Sequence, residues 1–312
     1  MTFEQFCAAH GLVLKGGLIV GRWMRVPTTD KPHKRNGAYK FMGDHGFVQN
    51  HATMQEVATW RAEGDSKAGA MREIDHAAIA RHDQAQREKR IAAVHGARGL
   101  WDEARPTRQL HPYLHRKGLS PAGTAFLREW DGVAWHDGQW IEDRWLVVPM
   151  HYHAGRIVNV QRISTKGVKV FFPGAPVSAC YATIERPGAA VTVIAEGLST
   201  GLAIFQSVRM ARVVVAFNAG NLLKVIEHLR PSGCVIVAAD NDHGTAKRIG
   251  HNPGIEHAQK AAGAIGAGVT WPTGIEGTDW ADALAEWGEG AASRIARSIL
   301  AGAKFVLPAT QA

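Results

Sequence analysis

From Ala189 onward, short and nearly continuous apolar runs alternate with stretches whose apolar residues recur every three to four positions. VTVIA, RVVVAF, CVIVAA and VTW read as strands, and LSTGLAIFQSV, GNLLKVIEHLR and GIEHAQKAAGAIGA read as the helices between them. Strands this apolar, joined through helices by short connections, form a mostly parallel sheet wrapped on both faces. The last 30 residues, after Asp282, read as helices capping this unit, with too little chain for another domain.

Upstream the pattern is different. HPYLHRKGLS reads as a helix followed by the turn SPAG, and RWLVVPM, RIVNVQRI and VKVFF read as strands separated by glycine turns at HAG and TKG. From Lys67 to about Arg105 the chain is rich in Ala, Arg, Glu and Gln, which predicts a charged helix. Its thin apolar stripe suits a bridging or nucleic-acid-facing helix rather than a core one. The front of the chain, with GGLIVGRWMRVP, TTDKPHKRNG and AYKFMGDHGFVQN, predicts a small β-rich module closed by a helix around MQEVATWRAEG. Four segments follow: a module at 1–64, a helical linker at 65–107, a mixed unit at 108–188 and the α/β unit at 189–312.

Composition narrows the setting. With 312 residues, 46% of them hydrophobic and 21% charged, the chain can bury more than one core. No apolar stretch approaches the roughly 20 residues of a membrane span, and no basic-then-apolar signal pattern opens the sequence, so no membrane partner and a cytoplasmic location are expected. Cys7, Cys180 and Cys234 are far apart and odd in number, which excludes a CxxC knuckle and a disulfide framework and fits a reducing compartment. Net charge is +8, and residues 1–117 hold 19 Lys/Arg against 12 Asp/Glu while the rest is almost neutral. A basic front half points to a polyanion, with nucleic acid the commonest one in the cytoplasm. Charge kept for solubility is the bland alternative.

The candidate chemistry lies where strands end. VTVIAEGLSTG places Glu196 at the carboxyl end of one strand, and CVIVAADND places Asp240 and Asp242 at the end of a later one, 44 residues after Glu196. Strand carboxyl ends in an open α/β sheet form the ligand crevice, so the three acids are expected to converge there. Asp240 and Asp242 are two apart and share a side if the strand continues, giving two hard oxygen ligands for Mg²⁺. In GTDWADAL, Asp279 and Asp282 begin a helix, where they either join the metal site or cap that helix.

Together, AEGLSTGLAI, VVVAFNAGNL, VIVAADNDH, the NPG before a helix and TDWAD resemble the Toprim domain, over residues 190 to 285 and most closely the Toprim domain of plasmid and phage primases of the DnaG-like type. The resemblance implies an α/β fold: a Toprim-type parallel sheet with flanking helices, preceded by an α+β primase-core subdomain and the small β-rich module. It implies that Glu196, Asp240 and Asp242 are catalytic and hold Mg²⁺ or Mn²⁺, with Asp279 and Asp282 as further metal candidates. RWLVVPMHYHAGRIVNVQRISTKGVKVFFPG resembles the primase segment whose basic residues face the Toprim acids, and YLHRKGLS resembles the helix-turn that opens the same core. By this correspondence Arg144, Arg162 and Lys169, together with Asn221, are the candidates for contact with template or triphosphate.

The implied activity is that of a DNA primase, a nucleotidyltransferase that makes short RNA primers from NTPs on single-stranded DNA during plasmid or phage replication. In the front module Arg22, Arg25, Lys31, Lys34, Arg35 and Lys40, with Trp23, Tyr39 and Phe41 nearby, suit a single-stranded template through phosphate contacts and base stacking. That module looks like the ribbon preceding primase cores but lacks its Cys/His quartet. Cys7, His10, His33, His45 and His51 match no ribbon spacing, so zinc is not expected. No GxxxxGK[ST] occurs, so a helicase is expected as a separate partner. Two other readings stand beside the primase: a Toprim nuclease using the same acids, and a non-catalytic DNA-binding replication factor.

Overall fold

The computed structural model describes residues 1–14, 16–54, 56–62, 76–153 and 155–308, with backbone alone at 76–82 and 249. They belong to two units, Met1–Gln84 and Ala85–Ala312.

In the first unit, helix α1 (Phe3–Ala9) starts at a capping box in which Thr2 and Gln5 satisfy each other's backbone amides. It buries Phe3 and Cys7 against an antiparallel sheet, β1 (Trp23–Val26), β2 (Gly37–Phe41), β3 (His45–Asn50) and β4 (Ala58–Arg61), in that order. Gly46 allows the close approach, since a Cβ there would lie 2.3 Å from the Phe3 ring. The helix expected around MQEVATWRAEG is instead a strand in its described part: Ala58–Arg61 pair with β3. Trp60 supplies the reason, because its ring packs on Phe3 and Phe41 while its indole N–H donates to the Met1 carbonyl at 3.0 Å. Gln55 and residues 63–64 of that expected helix lie outside the described residues.

The division between units falls within helix α2 (His76–Glu103). The start expected at Lys67 lies outside the described residues. The helix is exposed along residues 83–91, yet its apolar stripe does seat in a core: Ala97 and Leu100 pack on Val147 and Val160. Gly96 meets Phe172 so closely that a Cβ would stand 2.6 Å from its ring. A helix read as bridging is therefore docked over its last turns.

The second unit holds two sheets. The first is antiparallel: β5 (Arg105–Pro106), β6 (Arg128–His136), β7 (Gln139–His153), β8 (Arg156–Ile163) and β9 (Lys169–Phe171), in sequence order, with α3 (Pro112–Arg116) between β5 and β6. The second contains β10 (Ala182–Ile184), β11 (Val191–Ala195), α4 (Leu198–Ser207), β12 (Ala211–Val215), α5 (Leu222–Leu229), β13 (Gly233–Ala238), α6 (His243–Ile249), α7 (Pro253–Gly263), β14 (Gly268–Thr270), α8 (Trp280–Glu286), α9 (Ala291–Gly302) and β15 (Lys304–Val306). Its order is β10-β12-β11-β13-β14, parallel from β12 to β14, with β10 and β15 added antiparallel. The chain is thus a mixed α/β protein, and its parallel sheet draws an edge strand from upstream of residue 189.

One core joins the sheets. Leu146, Val148, Met150 and Ile163 of the antiparallel sheet share it with Leu198, Leu202, Val193 and Ala195. Each Leu, Val, Ile or Met side chain among them contributes about 1.5–3 kcal/mol on leaving water, which fixes the two sheets relative to each other. Gly201 lets α4 lie against β12, since a Cβ would approach Val215 Cγ2 to 2.9 Å.

Candidate functional site

Glu196 follows β11 directly, and Asp240 lies just past β13, on the strand that pairs with it at Ala195↔Ala238. Adjacent parallel strands ending level bring the two carboxylates to one edge. Burial, then the charge of Asp242, pushes the Glu196 carboxyl above its ordinary range, although the Ala219 amide and Lys169 oppose the shift. For Asp240 burial is again the main cause, followed by the charges of Glu196 and Asp279, and the direction is strongly upward. The Thr200 hydroxyl, from the first turn of α4, donates to Asp240 Oδ1 at 2.8 Å.

Asp242 reaches the same edge by a different route from the one the sequence implies. The strand ends at Ala238, so a two-residue strand period does not extend to it. Asp242 instead occupies the N-cap position of α6, with φ −72° and ψ 50° and no cap bond from its side chain. Gly254, at the start of α7, packs against this turn. A Cβ there would lie 2.6 Å from the Asp240 carbonyl oxygen and 3.2 Å from Asp242 Oδ2.

The donor set fits a hard divalent cation: buried carboxylates that raise one another's proton affinity are relieved by positive charge. Among the described residues no three His, Cys, Asp or Glu side chains close into a cage. Mg²⁺ does not need one, since it keeps several waters and uses one or two carboxylates with substrate phosphates.

Asp279 and Asp282 form a capping box at the start of α8, each accepting a backbone amide of the other. Both also accept from Lys117 Nζ, at 2.9 Å and 2.6 Å. Asp279 Oδ2 takes the Ser199 hydroxyl as well, at 3.2 Å. Lys117 is the C-cap of α3, so this contact ties the antiparallel sheet's lobe to the parallel one. Burial disfavours the Lys117 charge, but the two aspartates outweigh it and hold the ammonium well above its usual range. For Asp282, burial is likewise outweighed, by Lys117 and two backbone amides, and its carboxyl is lowered. Lys117 was visible in YLHRKGLS, but nothing in the sequence links it to acids more than 160 residues away.

The basic candidates divide by strand register. Lys169 pairs with Ile163, whose side chain belongs to the core between the sheets, so Lys169 shares the face turned to the parallel sheet. Its Nζ lies 3.9 Å from where a Cβ on Gly197 would stand, and its charge acts on Glu196 and Asp240. Arg162 pairs with Val147 and faces the other way, toward α2. Arg162 is 6% exposed and its guanidinium lies 5.8 to 5.9 Å from the rings of Trp130, Trp145 and Phe172, so it is not brought to the acids. Arg144 is exposed, 3.8 Å from Glu129. Asn221 is buried with its amide spent on backbone: it accepts from the Ala179 amide and donates to the carbonyls of Cys180 and Ala216. Ala179 and Phe217 both have left-handed φ, 60° and 72°, so Asn221 pins two strained turns, and no amide group is left for a nucleotide.

In the first unit Lys31, Lys34 and Arg35 are exposed on the β1–β2 loop, and Arg22 lies 3.7 Å from Asp83. Tyr39 and Phe41, expected to stack on bases, are turned inward: Tyr39 is 3% exposed and Phe41 stacks on Phe3 at 4.9 Å. Strand alternation puts a different set on the opposite face. There Trp23, Lys40, Phe47 and Thr59 form one row across four strands, with Arg25 and Gln49 in a second and His45 and Arg61 at the end. The rings of Trp23 and Phe47 are 6.3 Å apart. Phe47 and Arg61 escaped the sequence reading because register, not proximity along the chain, groups them with Trp23. Cys7 is enclosed in the core of this unit, where burial pushes its thiol up to about 12.

Acids at adjoining strand ends of a parallel sheet suit a ligand crevice, and a family model for the Toprim domain matches residues 191–290. The chain is 27% identical over 293 residues to DNA primase TraC of Escherichia coli, covering 86% of this chain and 26% of that protein. A second Escherichia coli DNA primase TraC is 27% identical over 240 residues, covering 73% of this chain and 16% of the relative. The chain thus spans about a quarter of the first relative's length and less of the second's. Among solved structures it is similar to the DnaG primase catalytic domain bound to ssDNA, with TM-score 0.42 and 14% identity over 70% of this chain and 85% of that one. The primase fragment of the bacteriophage T7 primase-helicase protein gives TM-score 0.37 and 16% identity over 59% and 68%. Residues 191–290 thus match the Toprim domain, and most of the chain is similar in sequence to DNA primases. Among its described residues no helix is long and apolar enough to cross a membrane.

Proposed function

We propose that this chain is the catalytic part of a DNA primase that joins ribonucleotides into short primers on single-stranded DNA, for plasmid or phage replication. The observation that carries the reading is the convergence of Glu196, Asp240 and Asp242 at one sheet edge, faced by Lys169 from the neighbouring sheet. In primer synthesis a 3′-hydroxyl attacks the α-phosphate of an incoming NTP and pyrophosphate leaves. Mg²⁺ or Mn²⁺, held by Glu196, Asp240 and Asp242, would lower the pKa of the hydroxyl and offset charge on the phosphates. Thr200 and the Gly254 turn hold Asp240 in place. Glu196, at the end of β11, is the acid placed for metal binding or for receiving the hydroxyl proton. Lys169 offsets triphosphate charge beside the acids.

The first unit serves as the template grip. Trp23 and Phe47 offer stacking faces, while Arg25, Lys40 and Arg61 on the same sheet face, and Lys31, Lys34 and Arg35 on the loop, meet phosphates. Unwinding is assigned outside these 312 residues, which contain no GxxxxGK[ST] segment.

The test is primer synthesis on mixed-sequence single-stranded DNA with labelled NTPs and Mg²⁺ or Mn²⁺, with Asp240→Ala alongside. Short products from the wild type alone, with DNA binding kept by the variant, support the primase. Template cleavage without products identifies a Toprim nuclease instead. Binding without either reaction identifies a DNA-binding accessory factor.

A further inference from the structure

We infer that Lys117 is a built-in cation that holds Asp279 and Asp282 as a metal-free pair, so that the divalent ion is confined to Glu196, Asp240 and Asp242. The inference rests on the metal-dependent reading above and makes Lys117 a positioning residue.

The hydrogen bonds account for all four carboxylate oxygens. Asp279 Oδ1 accepts the Asp282 amide at 2.8 Å, and Asp282 Oδ2 accepts the amides of Thr278 and Asp279 at 3.0 and 3.2 Å. Asp279 Oδ2 and Asp282 Oδ1 remain, and both are taken by the one ammonium group, at 2.9 and 2.6 Å. Ser199 Oγ adds a further donor to Asp279 Oδ2. The three side chains are substantially enclosed, at 27% exposure for Lys117 and 12% and 25% for Asp279 and Asp282. A Mg²⁺ ion bonds carboxylate oxygens at about 2.0–2.1 Å and would have to expel the ammonium to do so. Removing one partner of an enclosed ion pair is costly, because the other charge is left without compensation.

The other acids are differently placed. Asp240 takes a neutral hydroxyl, Glu196 a backbone amide, and Asp242 makes no cap bond. Asp279 nevertheless acts on Asp240 and Glu196 through its charge, so the ammonium also moderates the field at the metal face. Lys117 projects from the C-cap of α3, in the lobe that carries Lys169, whereas its partners begin α8. One contact thereby fixes the acids and registers the two lobes.

The experiment is Mn²⁺ titration of the full chain, read by the electron paramagnetic resonance of free Mn²⁺, with far-UV circular dichroism as the control for folding. Lys117→Met should bind one Mn²⁺ more per chain than the wild type, Lys117→Arg should match the wild type, and Lys117→Met with Asp279→Asn should lose the added ion. A folded Lys117→Met variant with unchanged stoichiometry overturns the inference. Asp279→Asn in the wild-type background gives a second test should Lys117→Met not fold: unchanged stoichiometry supports Lys117 as the partner, and loss of an ion overturns it. A wild type that binds no Mn²⁺ sinks the metal-dependent reading instead, and is told apart because the Lys117→Met comparison is made on the same scale.

Discussion

Thr200 Oγ1 donates to Asp240 Oδ1 at 2.8 Å, linking the helix that follows Glu196 to the strand end that carries the second acid. The bond opposes the burial that raises Asp240's proton affinity. Thr200→Val keeps the shape and removes the donor, leaving a buried carboxylate less satisfied at a cost of about 1–3 kcal/mol. The variant should melt lower without Mg²⁺ and lose primer synthesis by an order of magnitude, whereas Thr200→Ser should retain most of both. Equal behaviour of Val and Ser in thermal melts and primer assays would remove Thr200 from the site.

Gly254 is the second packing constraint on the acids. A Cβ would stand 2.6 Å from the Asp240 carbonyl oxygen, a backbone atom that cannot swing aside. Gly254→Ala should therefore destabilise by about 1–3 kcal/mol in urea unfolding, as overpacking does. It should also weaken Mn²⁺ binding, because the turn carrying Asp240 and Asp242 has to shift. Gly244→Ala is the control, since a Cβ there has nothing within 4 Å and alanine favours the helix. Its stability should hold or rise.

The parallel sheet was legible because its strands are apolar on both faces and its helices keep a 3.6-residue period. Glu196 and Asp240 followed from strand order alone. Asp242 sits on a turn, at the N-cap of α6, rather than on a continued strand, a distinction carried by Gly254 from another element. Contacts set by register were not legible: Arg162 and Lys169 are both basic strand residues, and only their partners Val147 and Ile163 show that one faces α2 and the other the acids. Likewise TDWAD could be read as ligands or caps, and it took Lys117, distant in sequence, to show what its outer oxygens contact. Strand β6 was missed because REWDGVAWH lacks a clean two-residue alternation, and β4 because ATWR sits between helix-favouring residues.

Register also sharpens the template prediction. Trp23→Ala and Phe47→Ala should each weaken binding of single-stranded DNA by about 1–3 kcal/mol, the worth of one base stack. Tyr39→Phe should not weaken it, because Tyr39 is inside the module and its hydroxyl serves the Ile19 amide. Neutralising Lys31, Lys34 and Arg35 together should lower affinity and flatten its dependence on salt, as fewer counterions are released. Fluorescence anisotropy of a labelled oligonucleotide across a salt series reads all three. Full affinity in both aromatic variants would move the template to another surface.

His111 makes stability depend on pH. The ring caps α3, accepting the Tyr113 amide on Nδ1 at 3.3 Å, while Nε2 donates to the Arg144 carbonyl at 2.9 Å. Those two bonds require the neutral ring, and burial lowers its pKa from the ordinary histidine value. The unfolded chain therefore takes up a proton below about pH 6.5 that the folded chain refuses, so the stability His111 provides is present above that pH and drains away as pH falls through the window toward the lowered folded value. The loss is bounded at about 1.4 kcal/mol per pH unit. His111→Asn keeps an oxygen acceptor for the cap but does not titrate. Urea unfolding between pH 8 and 5 should show the wild type losing stability faster than the variant below pH 6.5, and converging slopes above it. Since Lys117 is the C-cap of α3, the same acidification should loosen the hold on Asp279 and Asp282, and parallel slopes for both proteins would show that His111 is not the titrating cap.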